Sequence, residues 1–252
     1  MPRFFVNASK ISDGRVYLDG DNAHHISHSL RMAAGEEITV CDACGYEYDC
    51  TLEEFSSDTV TAVVDRKRKC DTEPPFRAHL YQALPKGDKL DTVIQKAVEC
   101  GVYDITPFES SRCIAKAKPE AEDKKTERRL RIAHEAAKQC GRGILPSVYP
   151  TVSFAKMLDS IKSCQLVLFC YEGEGTVPLG KLLEKELPQL ICEGSLPDIA
   201  IVIGSEGGFS PDEAEAITSA GACAVGLGRR ILRTETASGF ALACLVYAAE
   251  LS

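Results

Sequence analysis

At 252 residues, with 44% hydrophobic and 26% charged side chains, the chain has room for one large domain or for a small and a medium one. Its formal net charge of −8 argues against indiscriminate binding of nucleic acid, and no apolar run reaches membrane-spanning length. Met1 to Phe5 has no signal-peptide core, so the protein is expected in the cytoplasm. Twelve cysteines, among them Cys164, Cys170, Cys192, Cys223 and Cys244, are scattered through apolar patterns. They read as small core residues of a reducing compartment rather than a disulfide frame. Charge is uneven along the chain: Arg66 to Lys69 and Lys116 to Arg131 are basic, and Glu172 to Glu193 is mainly acidic. Each run reads about equally as a solvated face and as a binding surface.

Residues 1 to about 70 predict short strands at Phe4–Val6, Val16–Leu18, Ile38–Val40, Tyr46–Leu52 and Val60–Val64, separated by Gly, Asp and Ser turns. Strand spacing this tight suggests a small barrel. Asn22 is placed to cap a helix carrying His24, His25 and His28. His24 and His28 stand one helical turn apart and Cys41-Asp42-Ala43-Cys44 follows, but a single C-x-x-C lacks the second pair of a zinc finger, and no metal is expected.

Cys70 to Pro75 is polar and then doubly proline, which places a domain boundary between residues 1–72 and 73–252. His79–Leu84 opens the second domain as a strand ending at Pro85-Lys86-Gly87. Leu90, Val93, Ile94, Ala97 and Val98 then recur at helical spacing up to Gly101. Asp104–Phe108 resumes a strand, and strand–helix–strand units imply a parallel sheet. Ser111-Arg112 and a long charged helix ending at Gln139-Cys140-Gly141-Arg142 follow.

Gln165–Tyr171 is a further buried strand. Beyond it Gly175-Thr176-Val177-Pro178-Leu179-Gly180-Lys181 has P-loop spacing. Leu182 stands where a magnesium-binding hydroxyl is needed, however, and Pro178 removes an amide that would face phosphate, so nucleotide hydrolysis is a weak alternative. Ile199–Ile203 is too short for a helix and reads as a buried strand running into Gly204-Ser205-Glu206-Gly207-Gly208. Ser210-Pro211-Asp212-Glu213 is a capping box, so a helix starts at Pro211 and stops before Gly221. Ala222–Val225 leads into a second glycine loop, Gly226 to Arg233, and a last helix runs from Thr234 to Ala249. Strand, glycine loop and helix occur twice, each loop at a strand's C-terminal end, where open α/β sheets bind ligands. Neither loop has the spacing of a dinucleotide, P-loop or nucleophile-elbow motif.

Ile203 to Ser210 (IGSEGGFS) and Leu227 to Ala237 (LGRRILRTETA), in this order near the C-terminus, closely resemble the paired motifs of the small-subunit ribosomal RNA uridine-N3 methyltransferases. These are knotted SPOUT-class enzymes. The resemblance extends to the Arg-Phe start, the His-His…Leu-Arg segment, Lys86-Gly87, Arg112 and Gln139 to Arg142, and so covers essentially the whole chain. It implies a parallel-sheet α/β methyltransferase domain with a C-terminal trefoil knot, preceded by a small PUA-like β-barrel that binds RNA. It also implies S-adenosylmethionine as cofactor, a homodimer, and small-subunit ribosomal RNA or the assembled small subunit as partner, with no membrane association.

On this reading the cofactor pocket draws on Tyr171, Glu172, Ile203, Gly204, Glu206, Gly207, Gly208, Leu227, Gly228, Ile231, Leu232 and Thr236. Arg233 and Arg112 are candidates to stabilise charge on the uracil oxygens, and Glu206 is a candidate base. Arg3, Arg31, Lys86, Gln139 and Arg142 are candidates for RNA contact. The rival readings are ribose 2′-O methylation by the same superfamily and a catalytically idle RNA-binding module.

Overall fold

In the computed structural model the described residues are 1–117, 119–192, 194 and 196–251. Lys118 in the second basic run, Glu193 at the end of the acidic run and Ser252 lie outside the described residues. The chain divides into two compact units, Met1–Glu73 with Ala137–Leu145, and Pro74–Ala136 with Pro146–Ser252. The segment 137–145, expected in the second domain, packs with the first.

The first unit holds β1 (Arg3–Phe5), β2 (Ile11–Ser12), β3 (Arg15–Asp19), α1 (Gly20–His24), β4 (Glu37–Cys41), β5 (Tyr46–Phe55) and β6 (Thr59–Lys69). The strands form one sheet in the order β1-β4-β5-β6-β3-β2, parallel only between β1 and β4. Register shifts at Asp49/Cys50 and Leu52/Glu54 on the long β5–β6 pair curl it into a half-barrel. Val16, Leu18, Ile38, Val40, Leu52 and Val60 alternate into its core with Ile26 from a π-turn after α1. Asn22 does not cap α1. Asp19 occupies the cap position, and the Asn22 amide donates to Phe5 O at 2.9 Å. The run Arg66 to Lys69 is the end of β6, where Arg68 donates to Glu47 and Asp49.

The second unit continues with β7 (Arg77–Ala83), α2 (Lys89–Glu99), β8 (Val102–Glu109), α3 (Pro119–Cys140), β9 (Ser147–Val148), β10 (Val152–Ser153), α4 (Phe154–Ile161), β11 (Leu166–Cys170), β12 (Val177–Pro178), α5 (Leu179–Leu190), β13 (Asp198–Ile203), α6 (Pro211–Ser219), β14 (Cys223–Gly226) and α7 (Thr234–Val246). The strand order is β10-β8-β7-β13-β11-β14-β12, with β9 also on β8, and every pairing is parallel. Ile199–Ile203 of β13 are all buried, as a strand covered on both faces requires. Leu90, Val93, Ile94, Ala97 and Val98 form the buried stripe of α2, as their spacing predicts. After β14, outside β11 in the sheet, the chain doubles back, and α7 packs on α2 and against β7 and β13. This return supplies the crossover expected of a knotted topology, which connections normally avoid.

Candidate active site

Because β13, β11 and β14 are neighbours and parallel, their C-terminal loops emerge along one edge of the sheet. Gly204–Phe209, Tyr171–Thr176 and Leu227–Arg233 enclose a cavity of about 700 Å³, within the range of small-molecule sites. Below the first loop lies an aromatic column. The Tyr171 ring stacks on Phe169 with centroids 5.1 Å apart, Phe169 meets Phe209 edge-on at 5.0 Å, and Phe209 stacks on Phe108 at 6.3 Å. The column fixes where both loops leave the sheet.

Tyr171, Glu172, Ile203, Gly204, Glu206, Gly207, Gly208, Leu227, Gly228, Ile231 and Leu232 all line the cavity, as do Arg112 and Arg233. Thr236 does not: it is exposed on α7, and the lining residue is Thr234. α7 begins at Thr234, so two positions further on a side chain has turned about 200° around the helix. The Thr234 hydroxyl donates to Gly204 O at 2.6 Å and accepts from the buried Gln82 amide at 2.9 Å. This ties the two glycine loops to the end of β7.

Arg112 is held from two sides. Its Nη1 donates to Gly207 O at 3.2 Å, and a Cβ on Gly207 would fall 3.0 Å from Arg112 O. The preceding Ser111 donates through N–H and hydroxyl to Glu213, which also completes the capping box of α6. Burial opposes the charge of Glu213, but the N–H groups of Ser111 and Ser210 outweigh it and hold the carboxyl below its ordinary range.

Glu206 is arranged as an anchor rather than a base. Its Oε1 accepts from Lys89 Nζ at 2.8 Å and from the Lys86 N–H at 3.2 Å. Burial works against its charge, yet these bonds win and its pKa is lowered, which makes it a poorer proton acceptor. Lys89 also stands 3.7 Å from Glu235. Glu206 and Glu235 are therefore turned to Lys89, and the exposed Arg233 guanidinium has no hydrogen bond or ion pair among the described residues. Burial pushes the Cys170 thiol, on the cavity wall, up to about 12, so it stays protonated.

The residues singled out for RNA contact divide. Arg31, Lys86 and Gln139 are exposed. Arg3 and Arg142 are committed inside the first unit. Arg3 Nη1 donates to Glu47 Oε1 at 2.5 Å, and Arg142 forks onto Glu73 through Nε (2.9 Å) and Nη2 (2.7 Å) with 4% of its side chain exposed. Charge in a motif does not report burial. The His24 and His28 rings lie tilted at 40° with centroids 4.7 Å apart, but no group of three His, Cys, Asp or Glu side chains forms a metal site among the described residues. The P-loop-like stretch splits: Thr176 lines the cavity, Val177–Pro178 pair with β14, and Lys181 is exposed on α5.

Lys89, Thr234, Gln82 and Thr176 were not legible as site residues. Lys89 and Glu206 lie 117 positions apart, and Gln82 and Thr234 lie 152 apart, so no local spacing connects them.

Comparison with known proteins agrees with this architecture. A family profile described as an RNA methyltransferase domain matches residues 72–246, and one described as an RNA methyltransferase PUA domain matches residues 18–65. The chain is 34% identical to the ribosomal RNA small subunit methyltransferase E of Bacillus subtilis, over 100% of this chain and 98% of that one. It is 29% identical to the protein of the same name from Mycobacterium bovis, over 95% and 88%. Among solved structures, a ribosomal RNA small subunit methyltransferase E from Neisseria gonorrhoeae bound to S-adenosyl methionine superposes with a TM-score of 0.81. It shows 31% identity and covers 97% of this chain and 96% of that one.

Proposed function

This chain belongs to the ribosomal RNA small subunit methyltransferase E family, and from that premise we propose that it transfers the methyl group of S-adenosylmethionine to N3 of a uridine in small-subunit ribosomal RNA. The observation that carries the reading is the cavity at the ends of β13, β11 and β14, rimmed by Arg112 and Arg233.

The residues present fit the cofactor. Ser205 Oγ is buried beside the cavity with no hydrogen-bond partner among the described residues, a polar group left over for a ligand or its bound water. Gly204–Gly208 and Gly226–Gly228 bring backbone close, and Leu227, Ile231 and Leu232 give apolar surface for a flat ring. Ile231 is 82% exposed, as befits a side chain whose contact is a ligand or substrate. When bound, S-adenosylmethionine supplies an electrophilic methyl group that carries its own leaving group. The protein then has to position the base and manage one proton.

Uridine N3 is protonated at neutral pH and hidden when paired, so the target nucleotide is presented unpaired or flipped out. Removing the N3 proton spreads negative charge over the uracil oxygens. Arg233 and Arg112 are the groups we assign to meet that charge, because both reach the cavity. Glu206 keeps Lys89 and the Lys86 turn in place. The half-barrel unit contributes RNA affinity through its exposed Arg31, and through the exposed Gln139 of the same unit.

The reading further includes a homodimer, supported by the apolar side chains Phe240, Tyr247 and Leu251 exposed on and after α7. It also includes a cytoplasmic location; among the described residues no helix is long and apolar enough to cross a membrane. Two measurements test it. Calorimetry should show S-adenosylmethionine binding, and mass spectrometry of ribosomal RNA from a deletion strain should show loss of one uridine N3 methyl group, restored by the wild-type chain. A ribose 2′-O methyl group lost instead would overturn the N3 assignment.

A further inference from the structure

The second unit contains another cavity, of about 540 Å³, whose lining includes Leu84, Pro85, Gly87, Ala117, Lys124 and Arg128. It adjoins the first through two shared segments. At the start of α2, Lys89 faces the glycine-loop cavity, whereas Leu84, Gly87 and Asp88 of the preceding turn face the second one. In the stretch after β8, Arg112 faces the first, whereas Ala115 to Ala117 face the second. The same turn donates the Lys86 N–H to Glu206. A polymer with one residue in the first cavity can run on across these two segments, and the second cavity adjoins them on the other side.

The lining carries both signs, with Asp88 exposed 4.0 Å from Arg128. Glu122 and Arg129 form a pair at 2.9 Å at the back, both nearly buried, with Thr151 donating to the same carboxylate oxygen. That wall is neutral. Arg128 is turned onto Asp91. The ammonium groups of the exposed Lys124 and Lys125 make no hydrogen bond or ion pair among the described residues, and Lys116 is exposed on the same rim, 4.0 Å from Glu109. In a chain of net charge −8, uncommitted ammonium groups lining a cavity next to the active site mark a place for phosphate.

We infer that the second cavity is a subsite for the sugar–phosphate backbone of the RNA strand flanking the target nucleotide, with Lys124 and Lys125 taking its phosphates. The inference rests on the methyltransferase reading for its ligand, since that reading makes the ligand of the first cavity one residue of a strand. The contacts are sequence-independent and set the strand's path rather than the choice of base.

The test uses the full chain and transcribed small-subunit ribosomal RNA. In the Lys124→Ala/Lys125→Ala variant, RNA affinity near 0.15 M salt should fall on the order of tenfold. The slope of log K against log salt should fall by about 1.4, two single-strand phosphate contacts at roughly 0.7 each. S-adenosylmethionine affinity and melting temperature should stay as in the wild type, and KM for RNA should rise while kcat at saturating RNA is kept. An unchanged affinity and slope would overturn the subsite. So would an equal loss in a control pair, Lys181→Ala/Lys185→Ala, whose lysines lie on α5 away from both cavities. Failure of the wild type to methylate any RNA would overturn the activity assignment instead, because RNA affinity is read without turnover.

Discussion

Lys89 Nζ sits 2.8 Å from Glu206 Oε1 and so joins the first turn of α2 to the glycine loop that follows β13. The contact helps to hold the carboxylate below its ordinary range, which favours an anchoring role over that of a base. Glu206→Gln should therefore weaken S-adenosylmethionine binding several-fold and leave the pH–rate profile in its wild-type shape, as measured by calorimetry and by kcat across pH 5 to 9. A lost limb of the profile with intact cofactor affinity would restore Glu206 as the base.

Arg233 is the complementary case, a cation at the rim with no carboxylate partner among the described residues. A preorganised donor of this kind is worth about 3–4 kcal/mol in the transition state. Arg233→Ala should lower kcat by a few hundred-fold and hardly change cofactor affinity or melting temperature. Arg233→Lys should rescue poorly, since lysine lacks the planar fork. Equal losses in rate, cofactor affinity and stability would mean that the arginine only shapes the loop.

Gly207 and Gly228 are required for different reasons, and their variants should differ. A side chain at Gly207 would meet the Arg112 backbone, so Gly207→Val should displace Arg112 and abolish both cofactor binding and turnover. At Gly228 there is space, but φ is +109°, a conformation a β-branched residue resists. Gly228→Val should lower the melting temperature along with cofactor affinity, whereas Gly228→Ala should do so less. Wild-type affinity in both valine variants would show that the ligand sits elsewhere.

At the opposite end of the sheet, His79 lies between Asp104 (Nδ1, 2.9 Å) and Asp198 (Nε2, 2.9 Å). Burial tends to lower its pKa, but the two carboxylates prevail and raise it. A raised pKa stabilises the fold fully below the unfolded value of about 6.5, and that contribution disappears as pH rises through the folded value. The difference in melting temperature between wild type and His79→Gln should thus be largest near pH 6 and shrink towards pH 9. A gap independent of pH would mean the imidazole is held neutral.

The Arg142–Glu73 fork makes Arg142 part of the half-barrel unit's frame. Removing one partner of a buried pair leaves the other uncompensated, at a cost on the order of 3 kcal/mol. Arg142→Ala should show this as a lower denaturation midpoint, and its RNA affinity should recover at low temperature, where the unit is folded. A stable Arg142→Ala protein with RNA binding lost would reinstate a direct contact.

Features encoded within a few residues could be read from the chain. The capping box Ser210–Glu213 starts α6 at the residue expected, and the two glycine loops fall at the ends of β13 and β14, where the apolar runs stop. What escaped was of two kinds. Helical phase put Thr236 in place of Thr234, because the loop's end and not its composition decides which hydroxyl turns inward. Commitment of charge was invisible altogether: Arg142, Arg3 and Arg233 look alike as arginines in motifs, and only the positions of Glu73, Glu47 and Lys89 separate frame from free donor.

The hydroxyl of Thr234 closes the cavity by reaching Gly204 O and the amide of Gln82, a residue 152 positions earlier. Both lie on the far side of the crossover by which α7 returns to α2. Contacts of this sequence separation form late, after the intervening chain has been arranged. During synthesis the strands β7 and β13 emerge and can pair while α7 is still in the ribosome, leaving an unlatched sheet with no enclosed site. A chain cut short before Thr234 should therefore pair β7 with β13 and still lack the latch that encloses the methyl donor.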